Sequence, residues 1–448
     1  MVTGGDDNLS VNPPGSVHAS ARYIVADVFD GLASLPDNSV DLVVTSPPFL
    51  NLRSYLPPDH PEKAKEIGRE PTPAEFIDSL LDVTEALERV LAPHGSIVVE
   101  LGDTYSSGSP TKTNVAPSDA ATQDGTPGTK RAKPKERSVE EAQADGFGGF
   151  LSFSKGGGEG WPLAKSLCGV PTIYTWSLAY GRNLLNPDRA LDPWRVRNLM
   201  VWCKPSAPVQ DLRDKFRAAT SYITVATKSG SRYFDLFGVL NVDPDEAADQ
   251  EVMFDVPAKF AGEGFVVGAP PKDYLVVRAK GFSGAHYATY PRELIETPVE
   301  AMCPVRVCTV CGEPSRRVVE SVRLAKDGTV INTDYKDANT RAGTDDIYGN
   351  RRVGLPPDPY KHTVRRHVGW TDCGHGAWRA GVVLDPFGGS GTTLDVALHR
   401  PYPRSAIGID IDERNATLAA DRFDGMFDDF EVVRLEVTKP TDTADEPW

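Results

Sequence analysis

The sequence contains no apolar run near the roughly 18 residues needed to cross a bilayer, and its first twenty residues lack the basic start and apolar stretch of a secretion signal. Both absences point to a cytoplasmic protein with no membrane partner. Cysteine is scarce, at 6 of 448 residues. That is too sparse for a disulfide framework, so any close pair of cysteines reads first as metal-binding or redox. Gly and Pro, at 40 and 37 residues, are too few for a wholly disordered or collagen-like chain. Positive charge is also in deficit. With 48 Lys and Arg against 63 Asp and Glu, the net charge is −15, which argues against a surface that holds phosphate backbones by charge alone. The sign reverses locally. From Arg195 to Arg232 the cations Arg195, Arg197, Lys204, Arg213, Lys215, Arg217, Lys228 and Arg232 face only Asp211 and Asp214.

Short apolar runs alternate with helical patterns. Tyr23 to Asp27 and Val40 to Val44 read as strands, and the second ends at Thr45-Ser46-Pro47-Pro48-Phe49. Residues 73 to 92 read as a helix with Thr72 and Glu75 as a capping box, Pro73 in the first turn and Gly95 as the stop. Ile97-Val98-Val99 follows as a strand ending at Gly102-Asp103. This alternation predicts an α/β fold with a parallel sheet. A helix is expected to resume near Leu163, and Asn198 to Trp202 reads as another strand.

Two turns carry chemistry. Val382 to Asp385 is a buried-strand pattern followed by Pro386-Phe387-Gly388-Gly389-Ser390-Gly391-Thr392-Thr393, a helix, and a second strand ending in Asp410. Glycines let backbone approach a ligand, and an acid at the end of the next strand can accept hydrogen bonds from ribose hydroxyls, so a nucleoside-bearing cofactor is implied. No Gly-Lys-Thr follows, and the spacing is not that of a dinucleotide fingerprint, which disfavours ATP and NAD. In the turn at 46 to 49 two prolines remove donors and stiffen the backbone. Carbonyls and the Ser46 hydroxyl are left as acceptors beside the Phe49 ring. That suits an amino group on a flat ring, whose lone pair the acceptors can turn toward an electrophile while Phe49 stacks on an extrahelical base.

These residues resemble the amino-group DNA methyltransferases, in the circularly permuted arrangement where the catalytic motif precedes the cofactor motif. Ser46, Pro47, Pro48 and Phe49 match the catalytic motif, and Asp385 to Thr393 the S-adenosylmethionine motif. Leu199 to Pro205 is similar to a Trp-x-Lys-Pro strand, and His286 to Pro291 to a segment that completes the cofactor pocket. The resemblance implies a methyltransferase fold with a mostly parallel seven-stranded sheet and insertions. It implies that Asp27 meets the cofactor adenine, Asp410 the ribose, and Asp385, Phe387, Gly388, Gly389, Gly391, Thr392 and Thr393 the methionine portion. Ser at the head of the motif is more typical of cytosine N4 than of adenine N6. Ring-carbon methylation is disfavoured because the chain has no Pro-Cys dipeptide.

On this reading residues 1–20 are expected to be a flexible leader, 21–105 the catalytic-motif half of the core and 106–160 a flexible insertion. Residues 161–232 continue the core with the basic stretch, 233–283 read target sequence and 284–302 complete the cofactor pocket. Residues 303–379 form a zinc-binding insertion, 380–434 the cofactor half and 435–448 an acidic tail. Cys308 and Cys311 form a Cys-x-x-Cys-Gly knuckle that Cys373 and His375 can complete as a tetrahedral zinc site, with Cys303 and His367 in reserve. Arg213, Lys215 and Arg217 are candidate contacts to DNA phosphates. Expected partners are double-stranded DNA and a companion restriction endonuclease. An adenine N6 enzyme of the same build, a catalytically idle DNA-binding module and a dinucleotide-dependent oxidoreductase are the alternatives.

Overall fold

Val40–Thr45 is buried along all six of its residues, which requires cover on both faces of the sheet that holds it. The computed structural model supplies that cover. It describes residues 17–52, 54–106, 157–207, 214–240, 270–279, 290–324, 362–423 and 430–435, with the short strand segments 114–115, 151–152, 265–266 and 330–332. Residues 19–233, 273–303 and 380–448 form the larger of two compact units. Its strands are β1 (Ala21–Val25), β2 (Val40–Thr45), β3 (Leu91–Leu101), β4 (Arg195–Cys203), β5 (Thr220–Thr227), β6 (Tyr274–Val276), β7 (Val382–Asp385), β8 (Ser405–Asp410) and β9 (Phe430–Arg434). Its helices are α1 (Val28–Ala33), α2 (Pro73–Val90), α3 (Val170–Tyr180), α4 (Glu296–Met302), α5 (Thr392–Leu398) and α6 (Glu413–Phe423).

The strands lie in the order β9-β1-β8-β7-β2-β3-β5-β4-β6. Neighbours from β9 to β3 are parallel, β5 is antiparallel to both β3 and β4, and β6 is parallel to β4. The sheet is mostly parallel, as the sequence suggests, but among the described residues it has nine strands rather than seven. The two at its edges, β9 and β6, have five and three residues. Neither has a fully buried residue, unlike β2 or β7, so neither shows the apolar run that marks the inner strands. Ile24, Val43, Ile97, Leu384 and Ile409, from β1, β2, β3, β7 and β8, join Leu32, Phe76 and Leu80 in one apolar cluster.

The Thr72 hydroxyl accepts from Glu75 N at 3.3 Å to open α2, with Pro73 in the first turn. Gly95 does not end this helix. Ala92 precedes Pro93, and a residue before proline is pushed out of helical conformation, so the chain passes from Val90 directly into β3. Gly95 lies inside that strand, where a Cβ would sit 2.5 Å from Leu91 Cδ1.

Nor does a helix resume at Leu163, which is exposed. It begins at Val170, where Asp103, just past the end of β3, accepts from Gly169 N at 3.0 Å and Val170 N at 3.2 Å. Beside it the chain is closed by Ser106 N to Ser166 O at 2.9 Å, Lys165 N to Ser106 O at 2.8 Å and Cys168 N to Thr104 O at 2.9 Å.

The smaller unit comprises residues 1–18, 234–272 and 304–379. Its main sheet pairs Arg317–Leu324 antiparallel with His362–Trp370, and Phe265–Val266 adds to the latter strand. Arg317 Nε lies 3.1 and 3.0 Å from the two carboxylate oxygens of Asp235. Residues from 233–283 and from 303–379 thus share one unit. No helix among the described residues is long and apolar enough to cross a membrane.

Candidate active site

Parallel strands β1, β8, β7 and β2 end along one edge of the sheet, and the residues that follow them are those the sequence singles out. Ligands of open α/β sheets bind outside this carboxyl edge. β7 and β2 are direct neighbours, with Val383 opposite Leu42 and Leu384 opposite Val43. The cofactor-type turn and the Ser-Pro-Pro-Phe turn, more than three hundred positions apart in sequence, therefore emerge side by side. Thr45 Oγ1 donates to Asp385 Oδ1 at 2.7 Å across the junction.

Asp385 ties the two turns together. Its carboxylate also accepts from Phe387 N at 3.1 Å, Tyr290 Oη at 3.0 Å and the Thr393 hydroxyl. Burial pushes its carboxyl above the ordinary range even though four donors favour the charged form. With those donors in place Asp385 acts on the shape of the turn. The Tyr290 and Thr393 hydroxyl oxygens also lie against each other. Burial first, and the nearby Asp385 charge second, hold the Tyr290 phenol well above its usual value. Residues 286–289 of the quoted cofactor-pocket segment lie outside the described residues.

The glycine turn is held at several points. Gly388 N donates to Ile409 O at 2.7 Å, Gly389 N to Asp410 Oδ2 at 2.9 Å, and Tyr23 Oη to Gly389 O at 2.6 Å. Gly389 and Gly391 adopt φ of 48° and 78°, a region that side chains other than glycine rarely enter. Arg422 approaches Thr392 Oγ1 at 3.2 Å and Ser390 Oγ at 3.3 Å. Asp410 is half-buried. Its Oδ1 accepts from Asp412 N at 2.9 Å, and burial raises its carboxyl to about 6. Asp27 is occupied differently. It caps α1 by accepting from Phe29 N at 2.9 Å and Asp30 N at 3.2 Å, and it pairs with Lys65 Nζ at 2.7 Å. Burial pushes this carboxyl up, but the hydrogen bonds with Asp30 and Lys65 outweigh burial and hold it below its usual range.

In the catalytic-type turn Ser46, Pro48 and Phe49 are half-exposed and Pro47 is buried. Ser46 Oγ donates to Glu100 Oε2 at 2.6 Å. Glu100, on β3, is buried, and its Oε1 has no hydrogen-bond partner among the described residues. Lys204, from the Trp-x-Lys-Pro segment, is hydrogen-bonded to Ser221 and lies 4.1 Å from the Trp202 ring centroid. Burial lowers its ammonium while the Glu100 charge pulls the other way. Phe49 packs against Gly102, where a Cβ would sit 2.6 Å from Phe49 Cε2. Sequence reasoning missed Glu100. Its signal is a lone carboxylate inside the apolar run Ile97 to Leu101.

The basic stretch does not form one surface. Arg195 pairs with Thr227 and Cys203 with Thr220 across β4 and β5, while Leu101 of β3 pairs with Tyr222. Arg195, Arg197, Lys228 and Arg232 therefore sit toward the opposite end of the sheet from Ser46. Lys215 and Arg217 are exposed in the loop at the Ser46 end, and Arg213 lies outside the described residues.

In the smaller unit Cys308, Cys311, Cys373 and His375 bring their ligand atoms within 4.8 Å of one another. Gly312 N to Cys308 O at 3.0 Å closes the first knuckle, and Thr309 N to Ala377 O at 3.0 Å joins it to the second. The reserve ligand His367 instead approaches Gly369 O at 2.8 Å and Arg317 at 3.3 Å.

A family model described as DNA methylase, the N6/N4 methyltransferase family, matches residues 40–306. The chain belongs to this family. Over 280 residues it is 28% identical to the type II methyltransferase M.Cfr9I of Citrobacter freundii, covering 61% of this chain and 70% of that protein. With the type II methyltransferase M.SmaI of Serratia marcescens it shares 23% identity over 302 residues, 67% of this chain and 78% of that one. Among solved structures it resembles the PvuII DNA methyltransferase, described as cytosine-N4-specific, with 14% identity and a TM-score of 0.44 over 95% of this chain and 99% of that one. The family match ends before the glycine turn at 385–393, so the role of that turn rests on its position beside β2.

Proposed function

We propose that this DNA methylase transfers a methyl group from S-adenosylmethionine to the exocyclic N4 of a cytosine turned out of duplex DNA at a specific sequence. The observation that carries this reading is the Thr45 to Asp385 hydrogen bond of 2.7 Å, which joins an acceptor-rich turn to a glycine turn on adjacent strands. S-adenosylmethionine supplies an electrophilic methyl group on a sulfonium. The residues present fit it: Asp410 is half-buried with acceptor capacity for ribose hydroxyls, and side chains are missing at Gly388, Gly389 and Gly391 where backbone lines the turn. Asp27 contributes by fixing the start of α1 beside Asp410.

Cytosine N4 is a weak nucleophile because its lone pair is shared with the ring. Ser46 Oγ commits its own proton to Glu100 at 2.6 Å, so its lone pairs are free to accept an N–H of the base. A second N–H meets a carbonyl of the proline-stiffened turn, and the nitrogen lone pair is turned out of the ring plane. Phe49 stacks on the base. As the nitrogen–carbon bond forms and the sulfur–carbon bond breaks, N4 must lose a proton, and Ser46 Oγ passes it to Glu100. Catalysis rests on positioning and on hydrogen bonds aimed at the reacting amino group. The head of the motif, Ser46 rather than a carboxylate or amide, favours cytosine over adenine.

Lys215 and Arg217 contact phosphates at the Ser46 end of the sheet, with Arg213 in the same loop sequence. Cys308, Cys311, Cys373 and His375 hold zinc. Three thiolates and an imidazole with ligand atoms all within 4.8 Å of one another are the donor set that a structural zinc ion would take. The similarity to type II methyltransferases supports a companion restriction endonuclease as functional partner.

Mass spectrometry of nucleosides from DNA incubated with the protein and labelled cofactor tests the reading. N4-methylcytosine is expected, and it should vanish with Ser46→Ala combined with Phe49→Ala. N6-methyladenine without N4-methylcytosine rejects the base assignment, and no label in DNA rejects an active enzyme.

A further inference from the structure

Between β4 and β5 the chain carries the sequence Asp214-Lys215-Phe216-Arg217. Phe216 is 98% exposed, more than any other large apolar side chain among the described residues. Its neighbours Lys215 and Arg217 are exposed as well. The loop is anchored through the two residues that precede the aromatic ring. Lys215 Nζ lies 3.6 Å from the Tyr105 ring centroid, and Asp214 pairs with Lys165 Nζ at 2.9 Å. Tyr105 stands three residues beyond Gly102, the residue against which Phe49 packs. Phe216 is therefore presented at the end of the sheet that carries the acceptor turn, as a bare ring between two cations.

We propose that Phe216 is a wedge that enters the duplex at the target step and occupies the stacking position the base leaves when it turns toward Ser46 and Phe49. The inference rests on the extrahelical cytosine proposed above. An apolar ring flanked by cations matches a base step flanked by phosphates, and apolar wedges of this kind stabilise unstacked steps. Phe216 touches no reacting atom, so it is a positioning residue acting on the flipping equilibrium. Lys215 and Arg217 hold the phosphates on either side.

The test begins with methylation-aware sequencing of DNA treated with the wild-type protein, which identifies a duplex bearing the modified base. Single-turnover rates of wild type, Phe216→Ala and Phe216→Trp are then compared on that duplex and on a twin with an abasic analogue opposite the target. Phe216→Ala is expected to slow transfer about 10- to 100-fold on the paired duplex and to recover to within about threefold of wild type on the abasic twin, where flipping costs less. Phe216→Trp should retain the rate on both, with cofactor affinity and melting temperature unchanged in either variant. Equal losses on the two duplexes, or no loss on the paired one, overturn the wedge. If the modified base is adenine, the cytosine assignment falls while the duplex comparison still decides the wedge. If wild type methylates no DNA, the parent reading fails and the wedge falls with it.

Discussion

Asp410 offers a quantitative test of the cofactor edge. Burial, with Asp412 nearby, raises its carboxyl to about 6, so it is about nine-tenths ionised at pH 7 and about one-tenth at pH 5. Ribose hydroxyls donate well only to the charged form. The apparent affinity for S-adenosylmethionine should therefore weaken about tenfold from pH 7 to pH 5, with a proton released on binding in the lower part of that range. Unliganded stability moves the other way. A carboxyl raised in the folded state favours the protonated fold, so this contribution is complete below about 4 and declines as pH rises through about 6. Isothermal titration calorimetry at pH 5, 6 and 7, in buffers of different ionisation heat, reads both affinity and proton release. Asp410→Asn keeps an acceptor for Gly389 N, now at 2.9 Å, and should weaken binding at pH 7 while flattening the profile. A flat wild-type profile, or the same tenfold change in Asp410→Asn, refutes the reasoning.

Glu100→Gln removes the charge that orients Ser46 and should slow methyl transfer about 100-fold with cofactor affinity unchanged; stopped-quench rates within twofold of wild type would sink its assigned role. Gly102→Ala places a Cβ 2.6 Å from Phe49 Cε2, and should displace the ring and slow transfer about tenfold without loss of fold by circular dichroism. Full activity in that variant argues against Phe49 as the stacking partner. Purified protein should carry about one zinc per chain by elemental analysis, and Cys311→Ser should lower that content; metal-free wild-type protein, prepared without chelators, refutes the zinc site.

The parts of this molecule legible in the sequence are those where one local pattern decides. β2 is an apolar strand broken only by Asp41 and ended by two prolines, β7 is an apolar run ended by Asp385 and glycines, and Thr72, Pro73 and Glu75 announce α2 before it begins. What escaped depends on contacts between distant segments. Gly95 reads as a stop in isolation, whereas Pro93 and the packing of Leu91 give it a place inside a strand. The start of α3 is set by Asp103, whose carboxylate reaches across 66 and 67 positions to the Gly169 and Val170 amides. Glu100 is a single acid in an apolar run, and only the fold places it against Ser46. Strand direction divides cations that stand together in sequence between the two ends of the sheet.

The collar formed by Asp103, Thr104 and Ser106 on one side and Ser166, Cys168 and Gly169 on the other has a practical consequence. Chain leaving this point comes back to it through a neck already stitched by backbone hydrogen bonds. Lengthening a tethered excursion costs only about 0.6 kcal/mol for each doubling. The neck therefore works as a clasp: it holds Ser106 and Ser166 at a fixed spacing whatever length of chain runs between them.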